Sequence, residues 1–281
     1  MNRIFSLESF PPRSEKGEQS LAEARKVLSA LKPAYASVTF GAGGSTQEGT
    51  YQTVQTIIRN DGIDAAPHIS CISTDRKTLA KMLISYRELG VKRLVALRGD
   101  LPSGYGISDH SELRHANELV AFIREQTGDY FTIEVAAYPE FHPQARNADD
   151  DLKNFKRKAE AGADSAITQY FFNPDAYFRF LDDCQRMGVN IPVVPGIMPI
   201  TNYNQLARFS DGCGAEIPRW IRKRLESYGD DLASIREFGL DVVTGLCEKL
   251  LDGGAPGLHF YSMNRSEPVK TIWNTLKLEQ R

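Results

Sequence analysis

The chain has 281 residues, of which 41% are hydrophobic and 25% charged, enough apolar material for one large core or two modest ones. Acidic residues outnumber basic ones by 36 to 34, which gives no electrostatic basis for binding nucleic acid or an anionic membrane. No apolar run approaches the ~20 residues of a bilayer span. The start lacks the apolar stretch of a secretion signal, and the scattered Cys71, Cys184, Cys213 and Cys247 show neither a C-x-x-C pair nor metal spacing, as expected of reduced thiols in the cytoplasm.

In chain order, Ile4–Ser9 has strand character and is followed by a helical stripe of Leu21, Ala24, Leu28 and Leu31. Strand-like runs recur at Ala34–Phe40, Ala65–Cys71 and Arg93–Leu97, the last preceded by the stripe Leu79, Met82, Leu83 and Tyr86. Leu113, Ala116, Val120 and Ile123 lead to the run Phe131–Tyr138; Ser165–Phe171 and Ile191–Gly196 follow. A longer gap, holding a helical segment around Ile217–Tyr228 and the stripe Ile235, Phe238, Val242 and Leu246, precedes Leu258–Met263. Successive runs mostly start about 30 residues apart, the size of one βαβ unit, and their continuous apolar character suits strands covered on both faces. Eight such units predict an α/β fold, a (β/α)₈ barrel with extra helices in the seventh βα unit, as one domain over residues 1–281. An open doubly wound sheet fits less well. The nearest match to G-x-G-x-x-G, beginning at Gly41, has Thr46 where the last glycine belongs.

A barrel places its chemistry where strands end. Here strand one ends in Glu8-Ser-Phe-Pro-Pro-Arg13 and strand two in Thr39 and a glycine-rich loop, Gly41 to Gly44. Strand three carries His68 and Ser70, strand four ends Arg98-Gly99-Asp100, and strand five ends Tyr138-Pro-Glu140-Phe-His142. Strand six contains Thr168-Gln169, and strand eight ends in Tyr261 to Arg265. Polar side chains in a barrel interior are costly unless paired or solvated, so seven such ends out of eight point to a site.

Each residue also has a plainer reading. Glu8 can pair with Arg98, Asp100 can cap a turn, and a lone His68 is more often a satisfied core histidine. His259, inside strand eight, reads as structural. His110 and His115 are five apart, wrong for a metal on one helical face. The glycine loop followed by Ser45-Thr-Gln-Glu48 is either an anion cradle or a tight turn with a capping box. The run Lys153, Lys156, Arg157 and Lys158 is by default a solvated helix face. No lysine ends a strand, which disfavours a Schiff-base aldolase. Aromatics, two acids, an Arg-rich flank and glycine loops suit a large, planar, phosphate-bearing cofactor.

Nine segments, in order along nearly the whole chain, carry a more specific pattern: Leu7 to Arg13, Ser37 to Ala42, Ala66 to His68, Ala96 to Asp100, Ala136 to Glu140 with His142, Leu152 to Lys158, Ala166 to Gln169, Pro195 to Pro199 and His259 to Arg265. With them the chain resembles methylenetetrahydrofolate reductases of the short bacterial type. The resemblance implies a barrel holding FAD, with NADH or NADPH and methylenetetrahydrofolate as small-molecule substrates, in a cytoplasmic homo-oligomer. The matched FAD positions are Thr39, His68, Arg98, Gly99, Asp100, Ala116, Tyr138, His142, Ala145, Asp151, Asn154, Arg157 and Lys158. Glu8, Asp100, Gln169, Phe209 and Arg265 match positions that act on or hold folate and nicotinamide. Leu7 and Ser9 depart from the aromatic residues that often flank the glutamate, and Gly43-Gly44 from a more polar loop.

The implied chemistry passes hydride from NAD(P)H through FAD to the one-carbon unit. Opening the imidazolidine ring to a 5-iminium cation needs an acid, expected to be Glu8 with a pKa raised by Phe10, Pro11 and Pro12. Asp100 is expected to stabilise the cation. Gln169 would hold the pterin edge, Phe209 would stack on an aromatic ring, and Arg265 would meet a carboxylate or carbonyl. With the chain ending soon after strand eight and its helix, no room is expected for the regulatory domain of longer members, and hence no adenosylmethionine inhibition. Two competing readings are a related flavin barrel oxidising an amine such as proline, and a non-catalytic folate- or flavin-binding module.

Overall fold

The computed structural model describes residues 3–40, 47–72, 74–99 and 112–278. Asp100, the Gly41 to Gly44 loop, Ser45 and His110 lie outside them. The first half runs β1 (Ile4–Ser9), α1 (Glu15–Ser29), β2 (Tyr35–Val38), α2 (Gln47–Thr56), β3 (Ala65–Ser70), α3 (Arg76–Glu88), β4 (Arg93–Leu97) and α4 (Ala116–Thr127). It continues through β5 (Thr132–Ala137), α5 (Ala148–Glu160), β6 (Ser165–Thr168), α6 (Pro174–Arg186), β7 (Val193–Val194) and β8 (Gly196–Ile197). Three helices follow, α7 (Tyr203–Cys213), α8 (Arg219–Tyr228) and α9 (Leu232–Asp252), before β9 (Gly257–Tyr261) and α10 (Glu267–Leu276).

The strands are all parallel, in the order β7-β6-β5-β4-β3-β2-β1-β9-β8. They form a nearly closed barrel with helices around it, and the extra helices α7 to α9 sit in the seventh unit as the spacing predicts. The expected seventh strand is two short pieces because Pro195, between them, has no N–H to give a ladder. β7 pairs with β6 and β8 with β9, so one run crosses from one neighbour to the other.

Alternation along each strand sorts its side chains. On β1, Phe5 and Leu7 join the large apolar layer beneath the helices, while Ser6 and Glu8 reach partners from other strands inside the barrel. The interior is polar at both ends. At the amino end, buried Glu134 accepts hydrogen bonds from Tyr35 (2.6 Å), Arg93 (2.9 Å) and Ser165 (3.2 Å), and Arg93 lies over the Tyr35 ring at 4.6 Å. A buried carboxylate with three donors is a satisfied structural group. Chemistry is therefore sought at the opposite rim.

Helix boundaries follow local capping. Ser14, Asn147, Asn173 and Asn202 each accept a backbone N–H at the start of their helices, and Pro174 occupies the first turn of α6. The α9 stripe differs from the periodic reading. Ile235 and Leu246 are buried as expected, but Val243 and Cys247 replace Phe238 and Val242 on the inner face. Phe238 instead packs against Trp220 and Tyr228 of α8, at 6.1 and 6.0 Å between ring centroids. Among the described residues no helix is long and apolar enough to cross a membrane.

Candidate active site

β2, β5 and β6 each stop earlier than their apolar runs suggest, so Thr39, Tyr138 and Gln169 fall just beyond the strands, and Arg265 lies past the end of β9 as expected. Short strands leave these side chains on loops at the carboxyl rim, where a ligand can approach them.

Glu8, the penultimate residue of β1, is the centre of the arrangement. Its Oε2 is 3.3 Å from His68 Nε2 and 3.8 Å from His259 Nε2. Ser6 Oγ lies 2.8 Å from His259 Nδ1, and Ser37 Oγ is 3.5 Å from its Nε2. The register pairs Ser6 with His259 and Glu8 with Ser37 and Tyr261, so parallel pairing assembles this cluster from opposite ends of the chain. His259 is fully buried, with Tyr35 and Tyr261 against its ring at 6.2 and 5.5 Å.

The expected upward shift of Glu8 is reversed. Desolvation does push its carboxyl upward, but the contacts with His259 and then His68 outweigh it and hold the group at about 2. Its partners are imidazoles and not Arg98, which instead bonds Gln144 and the Gly99 carbonyl. The backbone beneath Glu8 is also fixed. Ser262 Oγ donates to the Glu8 carbonyl at 2.6 Å, and Asn264 holds both the N–H (3.0 Å) and the carbonyl (2.9 Å) of Phe10. Met263 and Asn264 have φ of 52° and 54°, so the β9–α10 turn adopts a left-handed bend to reach them.

The residues matched to FAD spread along one side of the rim. Four buried side-chain polar atoms lack a hydrogen-bond partner among the described residues, and two of them are Thr39 Oγ1 and His68 Nε2. The His68 atom lies 3.3 Å from Glu8 Oε2. Buried polar atoms left open at a barrel mouth fit a ligand that brings the missing donors and acceptors. Gly99 has φ +93°, and a Cβ there would collide with Ser70 Oγ, whose hydroxyl donates to the Arg98 carbonyl at 2.8 Å. The backbone after β4 thus passes the β3 end without a side chain.

Tyr138 packs edge-on against His142 at 4.6 Å, and His142 is locked by its N–H to Asp151 (2.9 Å) and by Gln144 N–H to its Nδ1 (3.0 Å). Ala145 N–H closes the same turn onto the His142 carbonyl at 2.9 Å. The structure divides the basic run after β5. Lys153 is exposed, Lys156 pairs with Glu160 at 3.7 Å, and Arg157 bonds Asn154 at 2.7 Å. Lys158 turns inward and donates to the Ala136 carbonyl at 2.5 Å; desolvation lowers it to about 8, against the pull of Asp151. Ala116 is the first residue of α4 and is half-buried.

On the other side of the rim, Gln169 accepts the Tyr170 N–H at 2.9 Å, and half-buried Phe209 sits on α7 with Arg208 over its ring at 5.7 Å. Arg265 is exposed and reaches Thr201 at 3.5 Å. Sequence reasoning missed Ser6, His259, Ser262 and Asn264 as parts of the site. The signal was there for His259: it shares the period of Tyr261 on β9, and its strand neighbours Leu258 and Phe260 are apolar. Among the described residues no group of three metal ligands occurs.

The family model described as methylenetetrahydrofolate reductase matches residues 1–277. The chain is 38% identical over 271 residues to the 5,10-methylenetetrahydrofolate reductases of Salmonella typhimurium and Escherichia coli, covering 96% of this chain and 90% of each relative. It is 35% identical to methylenetetrahydrofolate reductase (NADH) 1 of Arabidopsis thaliana, over 92% of this chain and 46% of that one. A Clostridium thermocellum protein described as binding two copies of 5-methyl-5,6,7,8-tetrahydrofolic acid shares the fold, with a TM-score of 0.69, 16% identity, and coverage of 98% of this chain and 96% of that chain.

Proposed function

Because the chain belongs to the methylenetetrahydrofolate reductase family, we propose that it is an FAD-dependent enzyme of one catalytic domain that takes hydride from NADH or NADPH and reduces 5,10-methylenetetrahydrofolate to 5-methyltetrahydrofolate. The observation that carries this reading is Glu8 at the barrel rim, held between two imidazoles and backed through His259 by Ser6.

FAD, when bound, supplies the hydride carrier between the two substrates. The residues present fit it: an open polar atom on buried Thr39, a side-chain-free crossing at Gly99, and the Tyr138, His142 and Lys158 set after β5. Arg98, Ala116, Ala145, Asp151, Asn154 and Arg157 complete the candidate cofactor side.

The chain's own work is proton management and placement. Ring opening of the folate requires a proton at N10. Glu8 delivers it, from a carboxyl flanked by the imidazoles of His68 and His259. The Glu8 side chain is still 20% exposed. A planar ligand closing over the rim removes that remaining water, and desolvation is already the largest upward influence on the carboxyl. Covering the rim therefore moves Glu8 toward its protonated form when substrate is in place. Ser6, bonded to Nδ1, fixes the orientation of His259 so that Nε2 faces Glu8.

Asp100 is assigned the stabilisation of the iminium cation, Gln169 the pterin edge, Phe209 an aromatic stack, and Arg265 a substrate carboxylate or carbonyl. The purified protein is expected to be yellow, to bleach anaerobically with NADH or NADPH, and to recover its colour with methylenetetrahydrofolate. Bleaching by an amine such as proline, with no recovery of colour on adding methylenetetrahydrofolate, would instead support the amine-dehydrogenase reading.

A further inference from the structure

Phe141, directly after Glu140 on the β5 rim, has no part in the chemistry assigned so far. Its backbone lies at φ +135°, where bulky L residues are outliers, and 48% of the residue is exposed. Both neighbours are pinned. Glu140 Oε2 accepts the Glu216 N–H at 2.7 Å, tying the rim to the loop after α7, and His142 N–H donates to Asp151 at 2.9 Å on α5. The loop is thus stretched between two anchors, and the strained conformation falls on the residue between them.

The ring is not idle surface. Phe141 lines a cavity with Tyr138, Glu140, Gln169, Tyr170 and Cys213. Cys213 follows Phe209 by four residues on α7, which puts both on one face of that helix. The cavity therefore brings the exposed ring of Phe141 beside Gln169 and the end of α7, on the helix face that also carries Phe209. Tyr138, assigned to the cofactor side, lines the same cavity, so the cofactor and folate sides meet there, while His142 and Lys158 are bonded toward α5 and β5.

We propose that Phe141 is a specificity-determining residue whose ring forms a second aromatic wall of the folate site, packing on a planar aromatic portion of the substrate across the cleft from α7. This rests on the reductase reading above, in which Gln169 and Phe209 hold the folate. A planar conjugated ring between two aromatic walls gains from both faces. Substrates lacking that ring lose the contact, so the residue discriminates by shape and not by charge.

The test compares Phe141→Ala, Phe141→Gly and Phe141→Tyr in the FAD-loaded full chain. Glycine adopts positive φ without strain, so that variant removes the ring while relaxing the backbone, whereas alanine removes the ring and keeps a Cβ at the same φ. Loss of one aromatic contact is expected to raise KM for methylenetetrahydrofolate ~10-fold in the Ala and Gly variants with kcat within ~3-fold, while Tyr stays near wild type. FAD affinity, from fluorescence titration, and NADH-driven bleaching are expected to be unchanged in all three. A folate KM within ~2-fold of wild type for Phe141→Gly overturns the proposal, as does weakened FAD binding with folate KM unmoved. A wild-type protein whose colour never returns with methylenetetrahydrofolate refutes the reductase reading itself, whereas an active wild type with unaffected variants refutes only the role of Phe141.

Discussion

Replacing Glu8 with Gln preserves the size of the side chain at the rim and removes its ability to carry a transferable proton. With its carboxyl held at about 2, Glu8 is protonated roughly once in 10⁵ at pH 7 before substrate arrives. Reaching a pKa near 6, where an acid works well at neutral pH, takes a large upward shift, on the order of several kcal/mol. The two imidazoles hold the carboxyl down and the 20% of side chain still wet is the part a ligand can dehydrate, so ligand closure must supply that energy. Anaerobic stopped-flow separates the two halves of the reaction. Glu8→Gln is expected to slow recovery of colour with methylenetetrahydrofolate by ~10²–10⁴-fold, with bleaching by NADH or NADPH within ~3-fold. The wild-type recovery rate should fall as pH rises through the raised value, and that dependence should vanish in the variant. Equal losses in both halves, or an unchanged pH profile, would refute the role of Glu8 as the acid.

The same carboxyl has a signature in stability. Its folded pKa lies below the ordinary 4.5, so its stabilisation is present above that pH and is lost as pH falls toward about 2. Glu8→Gln should flatten the acid limb of a denaturation series over that window. Gly99→Ala places a Cβ against Ser70 Oγ at a positive φ; overpacking and backbone strain together predict a loss of ~2–4 kcal/mol in urea unfolding, with poor FAD retention. Lys158, lowered to about 8 by burial, binds its proton less tightly folded than unfolded, so the stability of the apoprotein should rise with pH from about 8 toward 10.5. Lys158→Met should remove that rise and weaken FAD in a fluorescence titration. Asn264→Ala deletes both hydrogen bonds to Phe10 and is expected to cost ~1–3 kcal/mol; because it loosens the backbone under Glu8, it should slow folate reduction more than bleaching.

The polar strand ends were legible because two periods coincide. Alternation of two marks which strand residues look inward, and the βα repeat marks where each strand stops. Glu8, His68, Tyr138 and Gln169 were found this way. The same rule over-reads the interior, since Glu134 also points inward, and is buried more deeply than Glu8, yet belongs to the satisfied cluster at the amino end. Distance from the strand end distinguishes the two, and that depends on how far each strand runs. Chain periodicity overestimated those lengths for β2, β5, β6 and β9. The basic run after β5 shows the complementary limit. Four cations in six residues look alike in sequence, but helix rotation turns only Lys158 toward the Ala136 carbonyl.

From the amino-acid order came the number of βα units, the extra helices of the seventh, and the placing of acids, imidazoles and aromatics at one rim, since each is a local pattern of apolar spacing and interruption. Tertiary structure alone decided that His259 stands beside Glu8, that Ser6 backs it, and that Pro195 splits a strand between two neighbours. It also reversed the expected shift of the Glu8 carboxyl. Those outcomes depend on through-space distances between strands at opposite ends of the chain. They exist only once parallel pairing of β1 with both β2 and β9 has set the register.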